Sequence, residues 1–270
     1  MSSSDRGSSA SNLRVEKHEV DDGRLTVAVL TIDDPARLNA MGRAFWPELR
    51  AALTALETDG RTRAVIITGA GTKAFSAGGD IASFAELTDV TAKRAFQQDC
   101  MRSFAAVEES PLPVIAAVNG YAMGGGCELA LACDVVVASD TAVFGMPESA
   151  VGLVPGFGVL RAPSVIGRHW TKLLMFSGER VDAATAMQIG LVQKVVPAAE
   201  LMDTAHRMAG RIAGMAPLAL ATGKNLVNRG VDRGEWDHST AALTTLHGTA
   251  DAAEGIAAFV GKRAPRFEGR

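Results

Sequence analysis

Between positions 114 and 138 the chain is almost continuously apolar, yet it carries Asn119, three consecutive glycines (Gly124, Gly125, Gly126), Glu128 and Asp134. A stretch of that length could cross a bilayer. Two carboxylates, an amide and a glycine triplet are costly in hydrocarbon, however, so the run is read as the interior of a folded body. It divides into a strand over 114–118, a loop, a helix over 125–132 and a strand over 135–138. The chain is thereby committed to a mixed α/β fold with acids inside its core.

The rest of the sequence extends the same rhythm. Positions 14–20 and 24–33 are rich in β-branched residues and separated by Asp21, Asp22 and Gly23, the signature of an antiparallel hairpin. Phe45, Leu49, Leu53 and Leu56 recur at helical spacing, and 64–68 is a short buried strand. Short strands follow at 143–144 and 191–196, with Asp182 as the N-cap of a helix reaching Met187. After Pro197 strand signals stop. Four helical segments run to about Val260, interrupted at Pro217, Gly230 and Gly248. The expected organisation is a tail over 1–12, an α/β body over 13–197 and a helical portion over 198–270.

Composition limits the partners. A chain of 270 residues with net charge −3 has no basic footprint for nucleic acid or an anionic membrane. Cys100, Cys127 and Cys133 are odd in number, lack C-x-x-C spacing and sit among apolar neighbours, so they read as buried thiols rather than disulfides or zinc ligands. The first twelve residues are rich in Ser and Gly, poor in Arg, and hold no apolar h-region, which predicts a disordered tail and a cytoplasmic protein.

Three familiar chemistries find no support. Gly69-Ala70-Gly71-Thr72-Lys73-Ala74 follows a strand and matches a dinucleotide fingerprint. No helix opens directly after it, and Asp89, about 20 residues on, lies in a polar turn instead of ending a strand. The pair Gly156 and Gly158 lacks an upstream strand. There is no G-x-S-x-G elbow, and the five His residues show no ligand spacing, so neither a nucleophile triad nor a metal site has support.

What remains is carboxylates and main chain. Ser76-Ala77-Gly78-Gly79-Asp80-Ile81 and Met123-Gly124-Gly125-Gly126-Cys127-Glu128-Leu129 each place glycines just before a helix. Glycine permits close backbone approach, and the first amides of a helix lack internal partners and carry positive partial charge. Two such ends facing each other would form an oxyanion hole. Glu128 opens a helix that is apolar on nearly all sides, and Glu148 follows Phe144-Gly145-Met146-Pro147. Either acid alone reads equally as a helix-start residue complementing the dipole; the combination is what points to chemistry.

These blocks resemble the crotonase, or enoyl-CoA hydratase/isomerase, superfamily. The likeness lies in 75–81, 119–134 and 144–156, with Arg37-Leu38-Asn39-Ala40-Met41 similar to an early block and Phe259 with Lys262-Arg263 similar to a C-terminal F-x-x-K-R end. The resemblance implies a spiral of repeated β-β-α units with a C-terminal helical oligomerisation region, and a homotrimer or a homohexamer of paired trimers. It implies an acyl-CoA substrate and no cofactor beyond that CoA. Gly79 and Gly125 match the thioester-oxygen donors, and Glu128 and Glu148 the catalytic pair. Asp80, Ile81 and Gly124 fall in substrate-contact blocks, Arg37, Leu38 and Ala77 where CoA lies, and Phe259 and Lys262 in the C-terminal contact.

The implied reaction is hydration of a 2-enoyl-CoA, in which Glu128 deprotonates water and Glu148 protonates C2. Double-bond isomerisation, which can proceed with the Glu148 position alone, and a non-catalytic or RNA-binding role are the alternatives. Arg37 reads equally as a solvated loop residue. At 157–162 the chain departs from the family's glycine-richer T-Q-R-L pattern. Phe157 and Val159 there stand either for altered acyl specificity or for a repacked core.

Overall fold

The computed structural model describes residues 12–20, 22–228, 233–263 and 265. The expected tail therefore lies outside the described residues except for Asn12, whose side chain donates to Ala40 O at 3.0 Å. Gly230 also lies outside them.

Ten strands are described: β1 (Leu13–Val20), β2 (Leu25–Ile32), β3 (Thr62–Gly69), β4 (Ala74–Ser76), β5 (Val114–Val118), β6 (Tyr121–Met123), β7 (Val135–Ser139), β8 (Val143–Gly145), β9 (Arg180–Asp182) and β10 (Lys194–Val196). They form a six-stranded sheet, β1-β2-β3-β5-β7-β10, and a four-stranded one, β4-β6-β8-β9. The hairpin β1-β2 is antiparallel, pairing Leu13 with Ile32 and Val20 with Leu25, and the other pairs of the large sheet are parallel. In the small sheet β4, β6 and β8 run parallel and β9 joins antiparallel.

The helices are α1 (Phe45–Thr58), α2 (Ile81–Ala85), α3 (Val90–Glu109), α4 (Gly125–Ala132), α5 (Gly158–Val165), α6 (Gly167–Ser177), α7 (Ala183–Gln188), α8 (Leu201–Ala213), α9 (Pro217–Asn228), α10 (Arg233–His247) and α11 (Ala250–Val260). Chain order now explains the architecture. β3, β5 and β7 each go to the large sheet, the strand that follows each goes to the small sheet, and a helical segment closes the unit. This is the expected spiral of β-β-α units. Parallel neighbours require such crossovers because a tight turn cannot join them.

Period-two patterning sorts the large sheet's residues to its two faces. Ala28, Leu30, Val65, Ile67, Val114 and Ala116 enter the main core, where α1 contributes Phe45, Trp46, Leu49, Leu53 and Leu56. Val27, Val29, Ala64, Ile66, Ile115 and Ala117 face the opposite way, against Leu201, Ala205 and Ala209 of α8. With both faces covered, β3 and β5 are almost wholly buried, which is why they read as continuous apolar runs.

The apolar stretch that opened the reading resolves into β5, β6, α4 and β7. No helix among the described residues is long and apolar enough to cross a membrane. Asp134, at its end, accepts from Val114 N and from Lys224 Nζ, each at 2.7 Å, tying α9 to the body. The expected late strand over 191–196 is shorter: Leu191 and Val192 are core residues ahead of β10.

Candidate active site

The loop before α1 sets one wall. Asn39 is fully buried with φ 57°, and its Nδ2 donates to Ala70 O (3.0 Å) and Ala74 O (2.7 Å). That anchor brings Met41 alongside the glycine segment: Met41 N donates to Gly78 O at 2.8 Å and Asp80 N donates to Met41 O at 3.0 Å. In an extended chain paired this way, the intervening Gly79 N–H faces the opposite side. Asp80 then N-caps α2, accepting from Ala82 N at 3.2 Å.

The other wall is the start of α4. Gly124, its N-cap, has φ 51° and ψ −123°, a backbone conformation that favours glycine. The two glycine segments meet closely. A Cβ placed on Gly78 would lie 3.1 Å from Gly125 N, and one placed on Gly125 would lie 3.4 Å from Gly79 N. Neither the Gly79 nor the Gly125 N–H has an acceptor among the described residues. Two main-chain donors thus stand side by side without internal partners, the second at the positive end of a helix.

Both acids border this spot. Glu128, in the first turn of α4, is 6% exposed, and its Oε1 accepts from Phe157 N and Gly158 N, each at 2.8 Å. Burial pushes its carboxyl up to about 7, against the pull of those two N–H groups. Glu148 begins a 3₁₀ turn, Glu148–Val151, and a Cβ on Gly124 would lie 3.0 Å from its Oε1. Both Glu148 oxygens are buried and have no hydrogen-bond partner among the described residues. Burial first, and then the nearby charge of Glu128, hold its carboxyl well above the ordinary range. The pair differs chemically because one carboxylate receives the amides of two other residues and the other receives no other residue's donor among the described residues.

The remaining sequence-predicted residues occupy a rim and an end. Ala77 N donates to Leu38 O at 2.9 Å, which joins the early block to the glycine segment. The Arg37 side chain is about half exposed (54%) and its guanidinium meets Asp34 (2.6 Å) and Asp80 (2.9 Å). Ile81 is half-buried at the start of α2. Phe259 is 59% exposed at the end of α11, with Lys262, also exposed, just beyond. Phe157 is fully buried, its ring 5.1 Å from that of Phe104 and 6.0 Å from Trp236. Its bulk is core packing, and its backbone N–H serves Glu128.

Sequence reasoning missed that last role. A helix start at Gly158, flanked by Gly156, was the available signal, because a glycine-bordered helix start is also what receives a carboxylate.

Fold and site together define an α/β protein in which two buried glutamates stand beside two main-chain amides without internal partners. The enoyl-CoA hydratase/isomerase family model matches residues 22–270. The short-chain-enoyl-CoA hydratase of Clostridium acetobutylicum is 39% identical over 244 residues, 88% of this chain and 92% of its own length. The crotonyl-CoA hydratase of Syntrophomonas wolfei is 38% identical over 261 residues, covering 95% and 97%. A crystal structure of an enoyl-CoA hydratase/isomerase from Pseudoalteromonas atlantica superposes with TM-score 0.82 at 32% identity, covering 95% of this chain and all of that one. The chain belongs to the enoyl-CoA hydratase/isomerase family.

Proposed function

We propose that this protein hydrates a 2-enoyl-CoA, adding water across the C2=C3 bond to give a 3-hydroxyacyl-CoA. The observation that carries the reading is the placement of two buried glutamates, one anchored by two amides and one without a hydrogen-bond partner among the described residues, beside the unpartnered amides of Gly79 and Gly125. Attack of water at C3 moves charge onto the thioester oxygen, where each fixed N–H contributes about 3 kcal/mol of transition-state stabilisation. Glu128, whose ionised form is supported by two amides, orients water and takes its proton. Glu148, whose neutral form burial favours, delivers a proton to C2. Retention of both acids favours hydration over isomerisation.

The rim formed by Leu38 and Ala77 receives CoA, with Asp34 and Asp80 aiming Arg37 so that its exposed face meets phosphate. Asp80, Ile81 and Gly124 line the approach of the thioester, and Phe259 and Lys262 contact CoA from the C-terminal end. The reading needs no cofactor beyond the substrate's own CoA. A homotrimer or a pair of trimers accounts for Leu218 and Val227 of α9, each 83% exposed, and for Phe259 and Val260 of α11. The three free thiols fit a cytoplasmic protein.

The names of the relatives make crotonyl-CoA the substrate to try first. Its enoyl absorbance disappears on hydration. A protein that leaves crotonyl-CoA unchanged while shifting the double bond of a 3-enoyl-CoA is an isomerase instead.

A further inference from the structure

Glu128 and Glu148 are held by different means. Glu128 is anchored at its carboxylate by amides at the start of α5. Glu148 has no such anchor, so the position of its carboxylate depends on the turn Glu148–Val151 that carries it.

That turn is fixed from two sides. On one, Ser149 Oγ donates to Met175 O of α6 at 2.6 Å. On the other it meets α11 through glycine. A Cβ on Gly255, in the interior of α11, would lie 2.5 Å from the Val151 carbonyl carbon and 2.6 Å from its oxygen, a separation real Cβ atoms essentially never show. Gly152, which closes the turn at φ 75°, faces back: a Cβ there would lie 2.8 Å from the Cα and N of Ala252. A glycine inside a helix costs roughly 0.5–1 kcal/mol relative to alanine, so its presence here marks a point where the backbones must touch. Gly210 in α8 and Gly223 in α9 have nothing within 4 Å of an added Cβ, so those two glycines of the C-terminal helices make no such contact.

We infer that α11 is a positioning element for Glu148, with Gly255 and Gly152 setting how deeply its carboxylate stands against Gly124. The C-terminal helix thereby belongs to the acid's support. The inference rests on the reading of Glu148 as the proton donor.

Gly255→Ala tests it. The added methyl must displace Val151 by close to 1 Å, a misplacement that lowers kcat on the order of 100-fold. The KM for crotonyl-CoA, set at the rim by Leu38, Ala77 and Arg37, stays within about threefold. Gly210→Ala and Gly223→Ala serve as controls and leave kcat within about twofold. A Gly255→Ala protein with kcat within about threefold of the wild type, or with KM rising by the factor that kcat falls, overturns the inference. Should that variant fail to fold, Thr249→Ala takes its place, because Thr249 Oγ1 caps α11 by accepting from Ala252 N at 3.1 Å. Loss of the cap loosens the turn of α11 that Gly152 touches at a cost of about 1 kcal/mol, and unchanged kcat there overturns the inference equally. A wild type that hydrates no 2-enoyl-CoA removes the functional reading itself; an active wild type with an unimpaired Gly255→Ala removes the inference alone.

Discussion

Replacing Glu128 by glutamine should abolish hydration and at the same time stabilise the fold, in a manner set by pH. Burial raises the Glu128 carboxyl from 4.5 in the unfolded chain to about 7 in the folded one. At roughly 1.4 kcal/mol per pKa unit, that is about 3 kcal/mol. The folded state binds the proton more tightly, so this contribution is fully present below pH 4.5 and is lost as pH rises through about 7. The charge of Glu128 is one of the causes that raise Glu148, so the substitution relieves both carboxyls and the difference is read for the pair. Glu128→Gln does not ionise, and its side-chain oxygen can still accept from Phe157 N and Gly158 N. The variant should match the wild type in urea denaturation at pH 4.5 and exceed it by about 3 kcal/mol at pH 9, at one fixed protein concentration. Crotonyl-CoA hydration should fall by about a thousandfold at every pH, as expected for loss of a general base. A variant less stable than the wild type at pH 9, or a stability difference independent of pH, would refute the picture of a buried carboxylate held against its desolvation cost.

Glu148→Gln should lower kcat by at least about 100-fold while calorimetric binding of acetoacetyl-CoA stays within about tenfold, because the acid acts in the transition state. Equal losses in both would place Glu148 in ground-state binding. Arg161→Met should cost about 3–5 kcal/mol by leaving Glu108 buried without its partner, whereas Glu108→Leu combined with Arg161→Met should recover most of that in denaturant titration. Sizing by light scattering should give a trimer or hexamer; a monomer would leave the apolar faces of α9 and α11 unexplained.

The hairpin, α1, β5, α4 and the four C-terminal helices were legible because each has a pattern longer than the noise: alternation, an i, i+4 stripe, or a solid apolar run. Of the small sheet only β8 was. β4, β6 and β9 have three residues each, too few for any periodicity; β4 and β6 pair because β3 and β5 deliver the chain beside one another, and β9 returns from α6 to pair with β8. The glycine runs and both acids could be read as chemistry from residue type and context. That Phe157 and Gly158 hold Glu128 could not, since the contact joins positions 29 and 30 residues apart.

The sequence by itself therefore determined which groups are available: two acids in apolar surroundings, glycines ahead of helices, and a body that alternates strand and helix. Tertiary structure decided how those groups differ. Glu128 and Glu148 are the same residue type in similar local contexts, and they differ because the spiral brings the amides of Phe157 and Gly158 to one carboxylate and no other residue's donor among the described residues to the other. Electrostatic energies depend on distances across the fold, and those distances exist only once the chain has closed on itself.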